Sequence, residues 1–417
     1  MPGRPARILL FPDANFLAHV SRLLEIAKAL RDAHGAEVAF AGAGPYLGLA
    51  RDEGFQTHPC FTVPRDRTLD LARRALLMDP VWWQRVVARS IRSDVEVIER
   101  ERPDVVVGDM HWSLRASAAQ CGVPYVSLVN AAWTNHLDHR LAALDGHLLT
   151  RLLGRQLATA LFPAFKAAAL WFWAFPYKLW RVRTGQRSVS AHNLFDVVEG
   201  DLTLLADVPE FAPTRDLPPT VRYVGPVLWQ PRMPPPAWLA ALSASRPTVY
   251  VTMGSSGDRR LFETAVQAFA NTEYQVLMTT GPVGLAAQEL PSNVFLAPYA
   301  PGAALMARAD VCVNHGGNGT IYQALAAGVP VVGVPTHADQ QVQLQLCERS
   351  GAGLCLPESR LGAAPLRQAV EAVRADARYR ESARALSRAI ARHDGARTAA
   401  RLVAELASPL LQARAAG

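Results

Sequence analysis

The sequence predicts an α/β protein of two doubly wound, Rossmann-like domains that face a cleft. In the first half of the chain, short apolar segments alternate with segments in which apolar residues recur every three or four positions. The same alternation begins again near residue 247, beyond a stretch that is rich in proline. Strands that alternate with helices form parallel sheets covered on both faces, and each half is long enough for one such domain.

The first half of the chain holds four predicted strands and three predicted helices. Leu23, Ala27 and Leu30 lie on one face of the first helix, and Pro103 ends the second helix. The predicted strands are Ile8–Phe11, Glu37–Ala41, Asp104–Gly108 and Pro124–Val129, and the predicted helices are Ala18–Ala33, 81–100 and Leu114–Gln120.

The second half repeats this rhythm and ends in helices that are rich in Ala and Arg. The predicted strands are Thr248–Met253, Gln275–Thr279, Val294–Ala297, Val311–Asn314 and Val329–Val334, and the predicted helices are 260–270, Gly319–Ala327 and those within 365–417.

The boundary between the two predicted domains lies in the proline-rich stretch. Nine prolines occur from Pro209 to Pro236, which suits an extended connection better than a packed element. We therefore expect an N-terminal domain over residues 1–225, a linker over 226–246 and a C-terminal domain over 247–417. In doubly wound domains, ligands bind where loops leave the carboxyl ends of the strands, so those loops hold the candidate site residues.

Composition and charge exclude several classes of protein. Half of the 417 residues are hydrophobic and 19% are charged, which excludes a disordered chain, a collagen-like repeat and a coiled coil. The net charge of +7 suits an anionic small ligand or a membrane surface. No dense Lys/Arg block with interleaved aromatic residues occurs, so we do not expect nucleic acid as a partner.

The cysteines and the N-terminus predict a cytoplasmic protein. The five cysteines show no C-x-x-C pair and no metal-binding spacing, which is typical of reduced, buried thiols. The first apolar run, near Ile8, is too short for a signal peptide.

A glycine-rich turn follows the predicted strand Val311–Asn314 and leads into a helix. Residues 315–320 read HGGNGT. Glycines in such a turn let the backbone approach a bulky anion, and free N–H groups at the start of the helix favour a phosphate. A purely structural turn has the same local sequence, so the turn alone leaves both interpretations open. It is neither G-x-G-x-x-G nor G-x-x-x-x-G-K-[ST], which disfavours a dinucleotide-dependent dehydrogenase and a P-loop ATPase.

With the segments around it, this turn resembles a known signature. HGGNGT followed by GVPVVGVPTHADQQ at 328–341, and preceded by PSNVFLAPYAPGAALMARADVCVNHGG, resembles the donor-binding region of family 1 glycosyltransferases of the GT-B fold. The resemblance is strong over residues 246–356 and weaker over 7–42 and 103–130. It implies that the N-terminal domain binds the acceptor and the C-terminal domain binds a nucleotide-sugar, with the last helices packing back on the N-terminal domain.

The resemblance implies a set of phosphate and base contacts. His315 and the N–H groups of Gly317, Asn318, Gly319 and Thr320 would hold the diphosphate of the donor. Ser255, with Ser256 as the alternative, would reach a phosphate. Tyr299 stands where some members stack a tryptophan on the nucleobase, although an ordinary core aromatic has the same local sequence.

The resemblance also implies contacts to the sugars of the donor. Asp339 and Gln340 stand where the family binds the hydroxyls of the transferred sugar, with Gln341 and Gln343 nearby, whereas capping of a loop is the structural alternative for Asp339. Gln323 replaces the glutamate that binds the ribose in the family. This departure leaves UDP and TDP open as the nucleotide.

Two residues of the N-terminal half are the candidate catalytic pair. His19 follows the first strand, in a segment that resembles the family's G-H-V-x-P-x-L-x-L-A-x-x-L opening with Ala18 for the glycine and Arg22 for the proline. Asp109 ends a buried strand, where a helix cap is the structural alternative. The resemblance implies that His19 removes a proton from the acceptor and that Asp109 orients the imidazole. The further candidates near the cleft are His111, Asp13 and Asp138.

The family's chemistry predicts an inverting single displacement. N–H donors and His315 would stabilise the negative charge that gathers on the leaving phosphate. No Asp-x-Asp pair occurs in the sequence, so we expect no metal, and no cofactor besides the nucleotide-sugar co-substrate. A nucleotide-sugar epimerase of the same fold and a non-catalytic activator of another transferase are the alternatives.

An aromatic segment, residues 157–180, bears on the acceptor. It contains three tryptophans and four phenylalanines, with Lys166 and Lys178 as its only charges. Such a segment suits the lining of a large apolar acceptor site, a buried helix pair, or peripheral contact with a membrane. We expect an apolar acceptor such as a polyketide, macrolide, terpenoid or lipid. The sequence leaves the oligomeric state open.

Overall fold

The computed structural model describes residues 4–74, 79–138, 141–143, 148–186, 189–254, 259–281, 285 and 290–416. The chain forms two compact units. The first unit consists of residues 1–140, 161–228 and 393–417, and the second of residues 141–160 and 229–392. Residues 141–160, which the sequence analysis assigns to the N-terminal domain, therefore belong to the second unit.

The first unit contains a seven-stranded sheet in which every pairing is parallel. Its strands are β1 (Arg7–Pro12), β2 (Glu37–Ala41), β3 (Gln56–His58), β4 (Val105–Asp109), β5 (Tyr125–Val129), β6 (Leu202–Leu205) and β7 (Val221–Tyr223). Its helices are α1 (Leu17–His34), α2 (Gly48–Asp52), α3 (Arg65–Arg74), α4 (Pro80–Glu101), α5 (Leu114–Cys121), the C-terminal part of α6 (Leu148–Trp173), α7 (Phe175–Thr184) and α14 (Gly395–Ala416).

The second unit contains a six-stranded sheet, also parallel in every pairing. Its strands are β8 (Thr248–Thr252), β9 (Gln275–Thr279), β10 (Val294–Ala297), β11 (Val311–Asn314), β12 (Val331–Gly333) and β13 (Gly353–Cys355). Its helices are α8 (Arg259–Phe269), α9 (Gly302–Met306), α10 (Asn318–Ala326), α11 (Ala338–Arg349), α12 (Ala363–Ala375) and α13 (Ala377–Ile390). The predicted class, two parallel-sheet α/β domains, is confirmed.

The strand order places one switch point in each sheet. The first sheet runs β3-β2-β1-β4-β5-β6-β7, so the order reverses between β1 and β4. The second runs β10-β9-β8-β11-β12-β13 and reverses between β8 and β11. Helices that leave adjacent strands at a reversal go to opposite faces of the sheet, which opens a crevice at the carboxyl ends of those two strands. His19 and Asp109 follow or end the strands at the first reversal, and His315 follows a strand at the second.

The aromatic segment forms most of α6 and all but the last turn of α7. Phe162, Leu170, Trp173 and Tyr177 are buried, and the last three pack in a core cluster with α4. The prediction of a buried helix pair therefore holds for one face of the segment. The other face is exposed. By length and composition, the helical segment Thr150–Thr184 is also apolar enough to cross a membrane.

Candidate active site

The first candidate site contains the predicted catalytic pair. His19 lies in the first turn of α1, and Asp109 is the last residue of β4, which pairs with β1. The imidazole Nδ1 lies 2.7 Å from the Asp109 carboxylate. Since a carboxylate accepts hydrogen bonds, this contact assigns the proton to Nδ1 and leaves Nε2 as an acceptor when the ring is neutral. The Asp109 side chain is fully buried, whereas that of His19 is 20% exposed.

Arg22 binds the same carboxylate from the next turn of α1. Its Nε donates to Asp109 Oδ2 at 2.8 Å and its Nη2 to Oδ1 at 2.6 Å, a two-bond contact in which both side chains are buried. Residues three apart lie on the same side of a helix, so Arg22 reaches the carboxylate beside His19. From sequence, Arg22 was only a departure from the family pattern. The sequence feature that could have indicated its role is a charged residue three positions after the candidate base.

The network continues along the carboxyl edge of the sheet. Arg22 Nη1 donates to Asn130 Oδ1 at 2.9 Å, directly after β5. Asn130 Nδ2 donates in turn to Asp207 Oδ1 at 3.0 Å, two residues after β6. Side chains at the ends of three adjacent strands are thus linked by hydrogen bonds through Arg22. Asn130 and Asp207 were not predicted as site residues, because single polar residues after strands are common.

Arg22 and His19 keep Asp109 ionised. Burial alone would raise the pKa of this carboxyl, but the nearby charge of Arg22 and the contacts with His19 outweigh burial and lower the pKa below its usual value. Asp109 is therefore an anion at neutral pH and stabilises positive charge on the imidazole.

The further candidates of the N-terminal half have other partners. His111 Nε2 lies 2.9 Å from the buried Asp94, whose charge raises the His111 pKa although burial opposes this shift. Asp13 accepts hydrogen bonds from Asn15 through its carboxylate. Asp138 is exposed, and Arg215 Nη1 lies 3.9 Å from its carboxylate.

Aromatic side chains accompany the catalytic pair along this edge. The Phe16 ring meets that of His19 edge-on, with centroids 6.0 Å apart. Trp112, three residues after Asp109, packs edge-on against Trp133, three residues after Asn130, at 5.7 Å. All three aromatic residues are partly exposed. This edge of the first unit therefore offers apolar surface beside a proton acceptor.

The second candidate site is the HGGNGT turn between β11 and α10. Gly316 has φ +87°, and a Cβ there would lie 2.8 Å from the Gln340 carbonyl oxygen. A Cβ on Gly317 would lie 2.6 Å from His315 Cε1. Both positions thus require glycine, the first for its left-handed backbone and the second for close contact with the imidazole. The space where a Cβ of Gly319 would lie is open.

The start of α10 is partly exposed. Gly317 caps α10 without a side-chain hydrogen bond, and Asn318, Gly319 and Thr320 form its partly exposed first turn. Helix N-termini carry unpaired N–H groups and partial positive charge.

His315 is buried beside this helix start as a neutral imidazole. Burial, and secondly the nearby His337, lower the pKa of His315 to about 3. Its Nδ1 is buried and has no hydrogen-bond partner among the described residues. A buried polar atom without a partner is costly, which makes His315 a candidate binding residue.

Residues of α11 support the turn. Gln340 is 1% exposed, and its Oε1 accepts from the backbone N–H of Thr336 at 2.8 Å. Gln343 Oε1 accepts from Asn318 Nδ2 at 3.3 Å, so it holds a residue of the candidate phosphate cradle. Asp339 is partly exposed in the first turn of α11. In this structure the Gln340 side chain thus fixes the loop before α11, a contact that sequence alone did not indicate.

Of the remaining predicted donor residues, the structure describes Gln323 and Tyr299. Gln323 Nε2 donates to the carbonyl oxygen of Trp229 at 3.3 Å, and the side-chain oxygen lies close to Gly302. Tyr299 follows β10 and is 54% exposed, so it is not a core aromatic. Ser255 and its alternative Ser256 lie outside the described residues.

Comparison with known proteins places the chain among sugar-transferring enzymes. Residues 265–405 match the family model of the erythromycin biosynthesis protein CIII-like C-terminal domain. A PGL/p-HBAD biosynthesis glycosyltransferase of Mycobacterium tuberculosis (strain ATCC 25177 / H37Ra) is 36% identical over 388 residues, which is 93% of this chain and 89% of the relative. A PGL/p-HBAD biosynthesis rhamnosyltransferase of Mycobacterium bovis (strain BCG / Pasteur 1173P2) is 36% identical over 393 residues, 94% of this chain and 86% of the relative.

A solved structure has the same fold over almost the whole chain. The glycosyltransferase SsfS6 of Streptomyces sp. SF2575, complexed with thymidine diphosphate, matches with a TM-score of 0.65 and 21% identity. The match covers 96% of this chain and 99% of the solved one.

Proposed function

Because the chain belongs to the family 1 glycosyltransferases of the GT-B fold, we propose that it is an inverting, metal-independent enzyme with His19 as its base. It would move a sugar from a TDP- or UDP-sugar to an apolar small-molecule acceptor. That the protein is a glycosyltransferase of the natural-product or glycolipid type follows from its relatives. The 2.7 Å contact between His19 and Asp109 at the switch point carries the mechanistic part of the proposal.

In this mechanism His19 Nε2 takes the proton from the acceptor hydroxyl as its oxygen attacks the anomeric carbon. Nδ1–H stays on the Asp109 carboxylate, which fixes the ring orientation and stabilises the imidazolium that forms. Arg22 acts as a positioning residue, since it holds both carboxylate oxygens and keeps Asp109 ionised.

The second unit would bind the leaving group through neutral donors. The first-turn N–H groups of α10 and a neutral His315 would donate to the diphosphate, so the dipole of α10 supplies the compensating positive charge. Because His315 has an unused buried nitrogen, its imidazole can form a hydrogen bond with a ligand without losing one within the protein. These N–H donors take the role that a divalent metal has in other transferases, and a single displacement inverts the anomeric centre.

The nature of the nucleotide rests on two observations. Gln323 offers an amide where the family has a carboxylate for the ribose, which weakens selection for a ribose with two hydroxyls. The structure of SsfS6 contains thymidine diphosphate, whose sugar lacks the 2′-hydroxyl. We therefore place TDP-sugars first and UDP-sugars second, with the exposed Tyr299 ring as the stacking surface for the base.

The acceptor is proposed to be apolar and to present a hydroxyl. Phe16, Trp112 and Trp133 lie on the carboxyl edge that also holds His19. Aromatic linings of this kind favour aromatic or long-chain apolar acceptors. PGL/p-HBAD biosynthesis, named for the relatives, suggests a phenolic or glycolipid acceptor.

The experiment is release of nucleoside diphosphate from TDP-, UDP- and GDP-sugars in the presence of EDTA, with and without a pool of phenols, macrolides and lipids. We expect release from a TDP- or UDP-sugar that depends on an acceptor. Sugar interconversion without acceptor would favour an epimerase. Donor binding without turnover for every acceptor would favour the non-catalytic activator, and loss of release in EDTA would contradict metal independence.

A further inference from the structure

An exposed apolar face runs along α6 and α7 within the first unit. Trp171 is 59% exposed, Phe175 54%, Phe172 43% and Leu161 44%, and Val182 further along is 81% exposed. The positions 161, 164, 168, 171 or 172, and 175 recur at helical spacing and are all apolar and exposed. Exposed apolar residues are ordinarily scattered, so a continuous face of this kind indicates an interaction surface.

The opposite face fixes this segment to the protein. Leu170, Trp173 and Tyr177 pack in a core with Trp83 and Ile91 of α4, and Trp83 Nε1 donates to the Trp173 carbonyl oxygen at 3.0 Å. These helices would have to break this core in order to span a bilayer. An interfacial position, with the apolar face inserted and the helices parallel to the surface, is compatible with the fold.

The charge of the surrounding sequence selects the partner. Residues 161–186 of the first unit contain no Asp or Glu and four Lys or Arg residues, Lys166, Lys178, Arg181 and Arg183. Lys178 Nζ lies 4.1 Å from the centre of the Trp171 ring, and Arg183 is exposed at the end of α7. A basic border beside exposed tryptophan and phenylalanine is complementary to anionic phospholipid headgroups.

We propose that the face formed by Leu161, Trp171, Phe172, Phe175 and Val182 docks the protein on the surface of an anionic phospholipid bilayer. The apolar side chains insert between the lipids, with Lys178 at the level of the headgroups. This surface is distinct from the donor and catalytic residues, and the inference holds whether or not the proposed mechanism does.

The test is co-sedimentation of the full chain with vesicles, which needs neither donor nor acceptor. We expect binding to vesicles that contain phosphatidylglycerol, weak binding to pure phosphatidylcholine, and loss of binding in high salt. Phe175→Gln and Trp171→Gln should each weaken binding about tenfold, because each removes one large inserted side chain. Arg183→Glu should weaken binding to anionic vesicles only.

Two matched controls keep the test specific. Met233→Gln removes an exposed apolar side chain outside this segment, and Arg360→Glu makes the same change of charge in the second unit; both should bind as the unaltered protein does. Near-UV circular dichroism verifies that the variants are folded. Absence of binding to anionic vesicles would overturn the proposal. Binding by Trp171→Gln and Phe175→Gln that equals that of the unaltered protein would also overturn it. A dimer that Phe175→Gln dissociates, without vesicle binding, would assign the face to a second copy of the chain.

Discussion

Arg22 is the residue on which the geometry of the catalytic pair depends. It binds both oxygens of a fully buried carboxylate and also reaches Asn130. Asp109 therefore points at His19 because Arg22 and the backbone of β4 leave it one orientation. The proposed chemistry gives Arg22 no role in binding donor or acceptor, so its effect on turnover should come through Asp109 and His19.

Replacement of Arg22 by methionine should lower kcat about 10²-fold with little change in the KM for the donor, because the base loses its orientation. The free energy of unfolding should also fall by about 3–5 kcal/mol, since a buried carboxylate loses its partner. Arg22→Lys should restore part of kcat, and Arg22→Met with Asp109→Asn should restore part of the stability. A change in KM as large as that in kcat would contradict a positioning role.

His315 should make the folded protein sensitive to acid. Its pKa in the folded state, about 3, lies below the unfolded value of 6.5, so the unfolded chain binds more protons between these two pH values. The free energy of unfolding should therefore decrease as the pH falls from about 6.5 towards 3. Thermal unfolding of His315→Gln across this range should show a smaller decrease than the unaltered protein. An equal decrease in stability for the two proteins would mean that His315 is not buried as a neutral ring.

Two glycines in the strand–turn–helix unit from β11 to α10 have different structural roles. Gly317→Ala should lower stability and nucleotide affinity together, because the new methyl group would collide with His315 in the free protein. Gly319→Ala has open space in the free protein, so its stability should stay within about 1 kcal/mol, the usual helix-interior difference between these residues, while nucleotide affinity falls. Calorimetric titration with TDP and UDP measures the nucleotide affinity of both variants, and thermal unfolding measures their stability. Unchanged affinity in Gly319→Ala would argue against a phosphate at this turn.

The elements that sequence predicted best are those whose pattern has one physical meaning. Gln275–Thr279, Val294–Ala297 and Val311–Asn314 were predicted with the bounds that the structure gives, because buried parallel strands are continuous apolar runs. Four short strands, β3, β6, β7 and β13, were missed, since runs of three or four residues lack a detectable period. One of them, β7 (Val221–Tyr223), lies in the proline-rich stretch, so that part of the stretch is a sheet strand and not the extended connection that the prolines predicted.

The positions of the candidate site residues were predicted better than the contacts that support them. The positions of His19, Asp109 and the HGGNGT turn followed from strand ends together with the family resemblance. The Arg22, Asn130 and Gln343 contacts did not, because they join residues that are far apart in sequence or whose polar side chains have many common structural uses. Long-range hydrogen bonds of this kind depend on strand order, which the local pattern does not determine.

On the scale of the whole molecule, the chain returns to its first unit at its end. In α14, Ala399, Leu402 and Val403 are buried, and α14 packs along α1, the helix that carries His19. Gly225 also lies directly against His393, where a Cβ would be 2.3 Å from that of the histidine. The last 25 residues thus complete the unit that holds the catalytic pair.

Truncation after Arg392 should therefore impair the first unit and spare the second. We expect a lower thermal transition and loss of transfer, because the apolar side of α1 loses its cover, whereas TDP or UDP affinity should change less than threefold, about 0.7 kcal/mol. Thermal unfolding and calorimetric titration of the truncated chain check this. A loss of nucleotide binding as complete as that of transfer would contradict the independence of the second unit.

The measurement closest to the central claim is acceptor-dependent release of nucleoside diphosphate by His19→Ala, with nucleotide affinity measured on the same sample. His34→Ala, which removes the exposed histidine at the other end of α1, is the matched control. We predict that His19→Ala binds the nucleotide normally but turns over about 10²–10⁴-fold more slowly, while His34→Ala retains full turnover. Full turnover by His19→Ala would contradict the assignment of His19 as the base.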